Sequence, residues 1–200
     1  MASDTSSRRI GAADSATRAQ LVDAAEHLLL EEGYAAVTSR RVGAEAGLKP
    51  QLVHYYFRTM DDLFVEVFRR RAEENLARFE QGVAAGASLR RVWELTADVR
   101  GATFLVEFAA LANHRKEIRA EVARYAERFR AAQLAAITSA LRAAGVDEDV
   151  VPPMVALVLM TGVSQVMGIE RRLGVRAGHD ATVAWVEGLL DRAGNAVLPE

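Results

Sequence analysis

The sequence predicts an all-α chain: an N-terminal three-helix domain built on a helix-turn-helix, then a larger helical domain, about nine helices in all. Three observations carry that expectation. Ala is used heavily while Pro is scarce, at 4 of 200 residues. β-branched residues do not gather in alternating runs, which argues against strands. Apolar residues instead recur at helical spacing between glycine stops.

Composition narrows the class. Half the residues are apolar and 26% are charged, the profile of a globular chain rather than a disordered one. There is no Cys, which excludes a disulfide framework and a thiolate metal site. The N-terminal MASDTSSRRIGAADSAT lacks the apolar core of a signal peptide, so the expected location is cytoplasmic. The net charge of −2 means that any nucleic-acid surface must be basic locally.

The elements follow in order. Residues 1–16 are Ser, Ala and Asp rich and read as a flexible arm. Its Arg8 and Arg9 are of the type that enters a DNA groove, although an untethered tail is the simpler reading. A first helix runs from about Thr17 to Glu32, with Leu21, Ala24, Ala25, Leu28 and Leu29 as its apolar stripe and Gly33 as its stop. Thr38 or Ser39 caps a short second helix through Ala46, and Gly47 ends it. Leu48-Lys49 makes the turn. A third helix covers Pro50–Phe57, so residues 17–62 form the helix-turn-helix domain.

Thr59-Met60-Asp61-Asp62 reads as a capping box with Asp in place of Glu. It opens a fourth helix with Leu63, Phe64, Val67, Phe68, Leu76 and Phe79 inward. Residues 63–200 are the second domain. Within it, Ser88 to about Ala112 reads as two helices broken near Gly101. Lys116–Ala144, Asp149–Leu173 and His179–Ala193 complete the chain. The stretch VVPPMVALVLMTGVSQVMGI, residues 150–169, carries no charge and has the length of a membrane span. Thr161, Ser164 and Gln165 would then lie deep in lipid, so burial between this domain and a partner subunit is preferred.

Catalytic signatures are missing. No His has an acidic residue three positions before it, and no His-x-x-x-His pair occurs. There is no Gly-x-Ser-x-Gly elbow and no phosphate-cradling glycine loop. The expectation is a non-enzyme with no cofactor and no metal.

The third helix is more informative. Val53, Tyr56 and Phe57 share one face and pack inward. Gln51, Leu52, His54, Tyr55 and Arg58 occupy the other. Gln can read an adenine edge, Leu can touch a thymine methyl, and His and Tyr can reach phosphates or base acceptors. Thr38, Ser39, Arg40, Lys49 and Arg58 ring this face with donors and cations, and Pro50 sits at its edge. Packing of His54 and Tyr55 on the fourth helix is the plain alternative for either residue alone. For the set, double-stranded DNA is the expected partner.

Residues 21–68, above all TSRRVGAEAGLKPQLVHYYFRTMDDLF from Thr38 to Phe64, resemble the DNA-binding domain of TetR-family transcriptional regulators. The motif is a Thr, an Arg two positions on, Glu-Ala-Gly before the turn, an aromatic cluster ending in Phe, and an acidic-Leu pair opening the fourth helix. The resemblance implies that Gln51 and His54 read bases, that Leu52 makes an apolar contact, and that Ser39, Arg40, Tyr55 and Tyr56 meet the backbone. Three positions depart from the pattern. Gly43 stands where a small Ala is common, Lys49-Pro50 where Ser or Thr precedes a polar residue, and Met60 where a Lys often touches phosphate.

The resemblance further implies a homodimer and a cavity for a small, mostly apolar effector. The pocket candidates are Trp93, Phe104, Phe108, Tyr125, Phe129, Leu157, Met160 and Gln165. The interface candidates are the charge-free helix and the last helix, through Val158, Val163, Val166, Val183, Val186 and Leu190, with Trp185 and Leu189 beside them. The expected function is a ligand-responsive regulator, a repressor released from a palindromic operator. The rival is a helical carrier or enzyme for a lipid-like ligand with a structural helix-turn-helix.

Overall fold

The first helix, α1 (Ala16–Glu32), forms because its apolar residues repeat with the helical period. Leu21, Val22, Ala24, Ala25, Leu28 and Leu29 are all buried. The computed structural model describes residues 16–86, 88–97 and 99–195. Arg8, Arg9 and nearly all of the predicted arm lie outside them. Among the described residues there are nine α-helices and no strand, so the chain is all-helical as expected.

Gly33 takes a positive φ of 81° after α1, and Tyr34–Ala36 forms a single 3-10 turn. The second helix, α2 (Ser39–Glu45), is capped by Thr38, whose hydroxyl accepts from the Arg41 N–H at 3.3 Å. Gly47, at φ 66°, makes the left-handed turn into α3 (Gln51–Tyr56). Pro50 is the residue before α3 rather than its first member, as its missing N–H allows.

The fourth helix, α4 (Met60–Ala84), begins with the predicted capping box made by Asp. The Thr59 N–H donates to the Asp62 carboxylate at 3.0 Å, and the Asp62 N–H donates to the Thr59 hydroxyl at 3.1 Å.

The pair that follows is α5 (Leu89–Thr96) and α6 (Val99–Ala112). The break falls at Ala97, four residues before the predicted site at Gly101, which lies inside α6. An isolated glycine costs a helix only about 1 kcal/mol, so it need not end one. Then come α7 (Lys116–Ala143), α8 (Pro153–Arg172) and α9 (His179–Asn195). The α8 helix starts four residues later than Asp149. Each proline disfavours helical geometry in the residue before it, and Pro152 accordingly has ψ 129°.

The chain divides into two units. One takes in the chain up to Arg71 together with Ala110–Glu121. Its core holds the α1 stripe with Val37, Val42, Val53, Phe57, Leu63, Phe64, Val67, Phe68, Leu111 and Ile118. Fully burying a side chain of this kind stabilises by roughly 1.5–3 kcal/mol. Arg70 of α4 donates to Asp23 and Glu26 of α1 at 2.5 and 2.7 Å. Arg115 pairs with Asp61 and lies 5.4 Å from the Phe64 ring centroid.

The other unit takes in Ala72–Ala109 and Val122–Glu200. Phe79, Val92, Ala136, Ile137, Ala140, Leu141 and Leu157 form a buried cluster there. Gly82 of α4 lets α5 approach closely: a Cβ at that position would stand 2.6 Å from a Leu95 methyl. Leu157, Met167 and Gly168 are the buried residues of α8. Met154, Val155, Val158, Leu159, Val166 and Ile169 are exposed, as are Trp185 and Leu189 of α9. The α8 helix is long and apolar enough by composition to cross a membrane.

Candidate nucleic-acid interface

The site is built on α2, the turn and α3. Val53 is fully buried and Phe57 nearly so, which anchors α3 from one side. Gln51, His54 and Tyr55 are exposed on the other, Tyr55 by 51%. Leu52 and Tyr56 are half-buried. The Tyr55 and Tyr56 rings meet edge to face at 5.0 Å, so Tyr56 divides itself between packing and surface. Thr38, Arg40, Lys49, Pro50 and Arg58 are exposed around α3, and Ser39 is half-buried. The eleven predicted contact residues thus belong to one local segment, and each keeps some solvent access.

Two departures from the family motif prove to be one feature. A Cβ on Gly43 would lie 3.0 Å from the Leu48 carbonyl oxygen, 3.0 Å from the Pro50 nitrogen and 3.1 Å from the Pro50 Cα. These are backbone atoms, which cannot swing away. The Leu48 N–H also donates to the Gly43 carbonyl at 2.8 Å. Glycine at 43 therefore lets the chain carrying Pro50 pass directly against α2, and that passage sets where α3 begins.

Cations near the site are sorted by their partners. Arg41 donates to Glu32 at 2.7 and 2.5 Å, and its hydrogen bond holds the Glu32 carboxyl below its ordinary range. Arg41 thus braces α2 to the end of α1, while its neighbour Arg40 is the cation on the predicted face. His27 pairs with Glu45 at 2.8 Å, a second α1–α2 link.

The sequence reading missed Arg18. Its guanidinium lies 5.1 Å from the Phe57 ring centroid and donates to Glu66 at 2.8 Å. It joins the start of α1 to the residue that ends α3 and to the second turn of α4. Nothing in the linear spacing of 18, 57 and 66 announces this, because the contact depends on how three helices pack.

The remaining candidates belong to the second unit. Trp93, Phe104, Phe108 and Leu157 are buried, and Tyr125, Phe129 and Met160 are half-buried. Tyr125 stacks on Phe129 at 5.5 Å and receives a hydrogen bond from Asn75 at 2.7 Å. Burial raises the Tyr125 phenol above its usual range. Gln165 is exposed, on the same stripe of α8 as Val158 and Val166. Val163, Val183, Val186 and Leu190 are half-buried. Among the described residues no cluster of side chains suited to a metal ion occurs.

Comparison with known proteins bears on the site directly. Residues 21–67 match the family described as bacterial regulatory proteins, tetR family. No curated protein matches the chain. Among solved structures it is similar to a TetR transcription regulator from Haloarcula marismortui, at TM-score 0.68 and 20% identity, over 92% of this chain and 98% of that one. A transcriptional regulator of the TetR/AcrR family from Thermobifida fusca gives 0.62 at 22% identity, covering 86% and 95%. The fatty acid degradation regulator FadR from Bacillus halodurans gives 0.63 at 15% identity, covering 88% and 95%. These likenesses extend the shared fold across most of the chain, well beyond the matched segment. The tetR-family match thus covers the helix-turn-helix at residues 21–67, and the solved structures share the fold over most of the chain.

Proposed function

We propose that the chain is a cytoplasmic, homodimeric repressor that leaves a palindromic operator when a small apolar or amphipathic effector binds its C-terminal part. One observation carries the DNA reading. The same short helix buries Val53 and Phe57 and exposes Gln51, His54 and Tyr55. In this reading Gln51 and His54 meet base edges, and Leu52 meets a thymine methyl. Thr38, Ser39, Arg40, Lys49, Tyr55, Tyr56 and Arg58 hold the phosphates, with Pro50 at the rim.

One α3 spans few base pairs, so two copies would sit in successive major grooves about 34–36 Å apart. The exposed apolar residues of α8 and α9 support the pairing of two chains. A small-molecule effector is supported by the aromatic and methionine content of the second unit. That the similar Bacillus halodurans protein is a fatty acid degradation regulator favours an amphipathic effector. Such a molecule releases DNA only by preferring the conformation that binds DNA poorly.

A mobility-shift assay with the DNA upstream of the chain's own gene tests the regulator reading against that of a carrier. Gln51→Ala should relax choice at one base pair, with a loss of about 1–3 kcal/mol there. Tyr55→Ala should weaken all sequences alike. Unchanged affinity and preference in Gln51→Ala would remove that residue from base reading.

A further inference from the structure

Three polar residues of the second unit stand one helical turn from its apolar cluster, outside the family motif. Val92 of α5, Ile137 of α7 and Leu157 of α8 belong to one apolar cluster. Thr96 and Thr161 stand four residues after Val92 and Leu157, and Gln133 four residues before Ile137. Gln133 is 5% exposed, and its amide donates to the Thr96 hydroxyl at 3.5 Å, the outer limit of a hydrogen bond.

Thr161 is the sharper observation. Its hydroxyl is buried and has no hydrogen-bond partner. Ser164, on the next turn, meets its own need by donating to the Met160 carbonyl at 2.9 Å. Thr161 does not. Among the described residues, the other buried polar atoms without partners belong to Arg70 and His179, whose side chains are already engaged by carboxylates. A buried unmet hydroxyl is costly, and native cores hold few such groups. Phe129 and Met160, both only partly buried, pack against the same apolar cluster, and Met adapts readily to a guest.

We propose that Thr161, Gln133 and Thr96 form the polar end of the effector site and receive an uncharged hydrogen-bonding head group, an amide or alcohol, on a molecule with an apolar tail. This rests on the reading of the second unit as effector-binding. The layer itself carries no charge, so a carboxylate would be buried without a counter-ion. The amide offers a donor and an acceptor, and the Thr161 hydroxyl offers either, which suits a head group that does both.

Isothermal titration with octanamide, 1-octanol and octanoate reads the head-group choice in the full chain. Octanamide and 1-octanol should bind, and octanoate at least about tenfold more weakly. Thr161→Val and Gln133→Leu should each lower octanamide affinity about tenfold. Thr161→Val should at the same time raise the thermal midpoint of the free protein by about 2–4 °C, because it removes the unmet group. That combination of a more stable and less responsive protein is not expected of a merely structural residue.

Octanoate binding as tightly as octanamide overturns the proposal. So do unaltered octanamide affinity in both variants, and failure of both neutral probes to bind at millimolar concentration. Mobility shift without any probe is run alongside. Loss of DNA binding there defeats the regulator reading and leaves the titration to judge the layer by itself.

Discussion

Arg18 shows how much a single side chain can settle. It lies over the ring of Phe57 and donates to Glu66, and that hydrogen bond holds the Glu66 carboxyl below its ordinary value of 4.5. A carboxyl lowered in the folded state contributes stability that is present above its unfolded value. That stability is lost as pH falls through the lower, folded value. Arg18→Gln should therefore cost about 1 kcal/mol at neutral pH, and the gap from the parent should close in acid. Thermal denaturation from about pH 7 to about pH 3 checks this, and a gap independent of pH would assign the loss to the ring contact instead. The exposure of Gln51, His54 and Tyr55 was legible in sequence because they lie opposite the apolar face of Val53 and Phe57 on one helix. Arg18 was not legible, because charged residues near a helix start are common and only packing reveals which ring lies beneath.

At the scale of elements, the glycine stops and caps were readable and the breaks were less so. Thr38 and the Thr59–Asp62 box act as their spacing implies, since capping is decided within four residues. The α5–α6 break lies at Ala97 rather than Gly101, and α8 starts at Pro153 rather than Asp149, because glycine permits helix and a proline pair acts backward. The α2–turn–α3 element holds a finer dependence. Gly43→Ala should gain helix propensity of up to about 1 kcal/mol and lose a similar amount to the approach of Leu48 and Pro50. Net stability should stay within about 1 kcal/mol, while DNA affinity falls roughly tenfold as α3 is displaced. A melting curve and a binding isotherm on the same sample separate the two effects. Full DNA affinity in the alanine variant would show that the turn yields without moving α3.

For the whole molecule, the exposed apolar surface calls for explanation. Trp185 at 64% and Leu159 at 63% exposure stand with six more exposed apolar side chains on α8 and α9. Sets of this kind mark association surfaces. Trp185→Asp should shift sedimentation from dimer to monomer at micromolar protein and lower operator affinity by more than tenfold, since two half-sites must be read together. A dimer that persists in Trp185→Asp would place the pairing surface elsewhere. Operator affinity should also fall steeply with added salt, because cations on the α3 face replace those condensed on DNA. A shallow slope would count against Arg40, Lys49 and Arg58 as phosphate contacts. The exposed apolar face was only partly legible in sequence: the charge-free run pointed to α8, but which of its residues lie inward became clear only once Leu157 was seen in the core.

The crowding at Gly43 has a consequence for exchange of DNA specificity. A side chain at residue 43 would crowd the backbone of Leu48 and Pro50, so residue 43 and the turn are sterically one unit. A reading helix transplanted from another regulator would arrive with its own turn. Unless residue 43 were chosen to suit that turn, the graft would carry the right bases' partners at the wrong tilt. Libraries that diversify Gln51 and His54 to seek new operators should therefore hold Gly43 and Pro50 together, or vary them together, and never one alone.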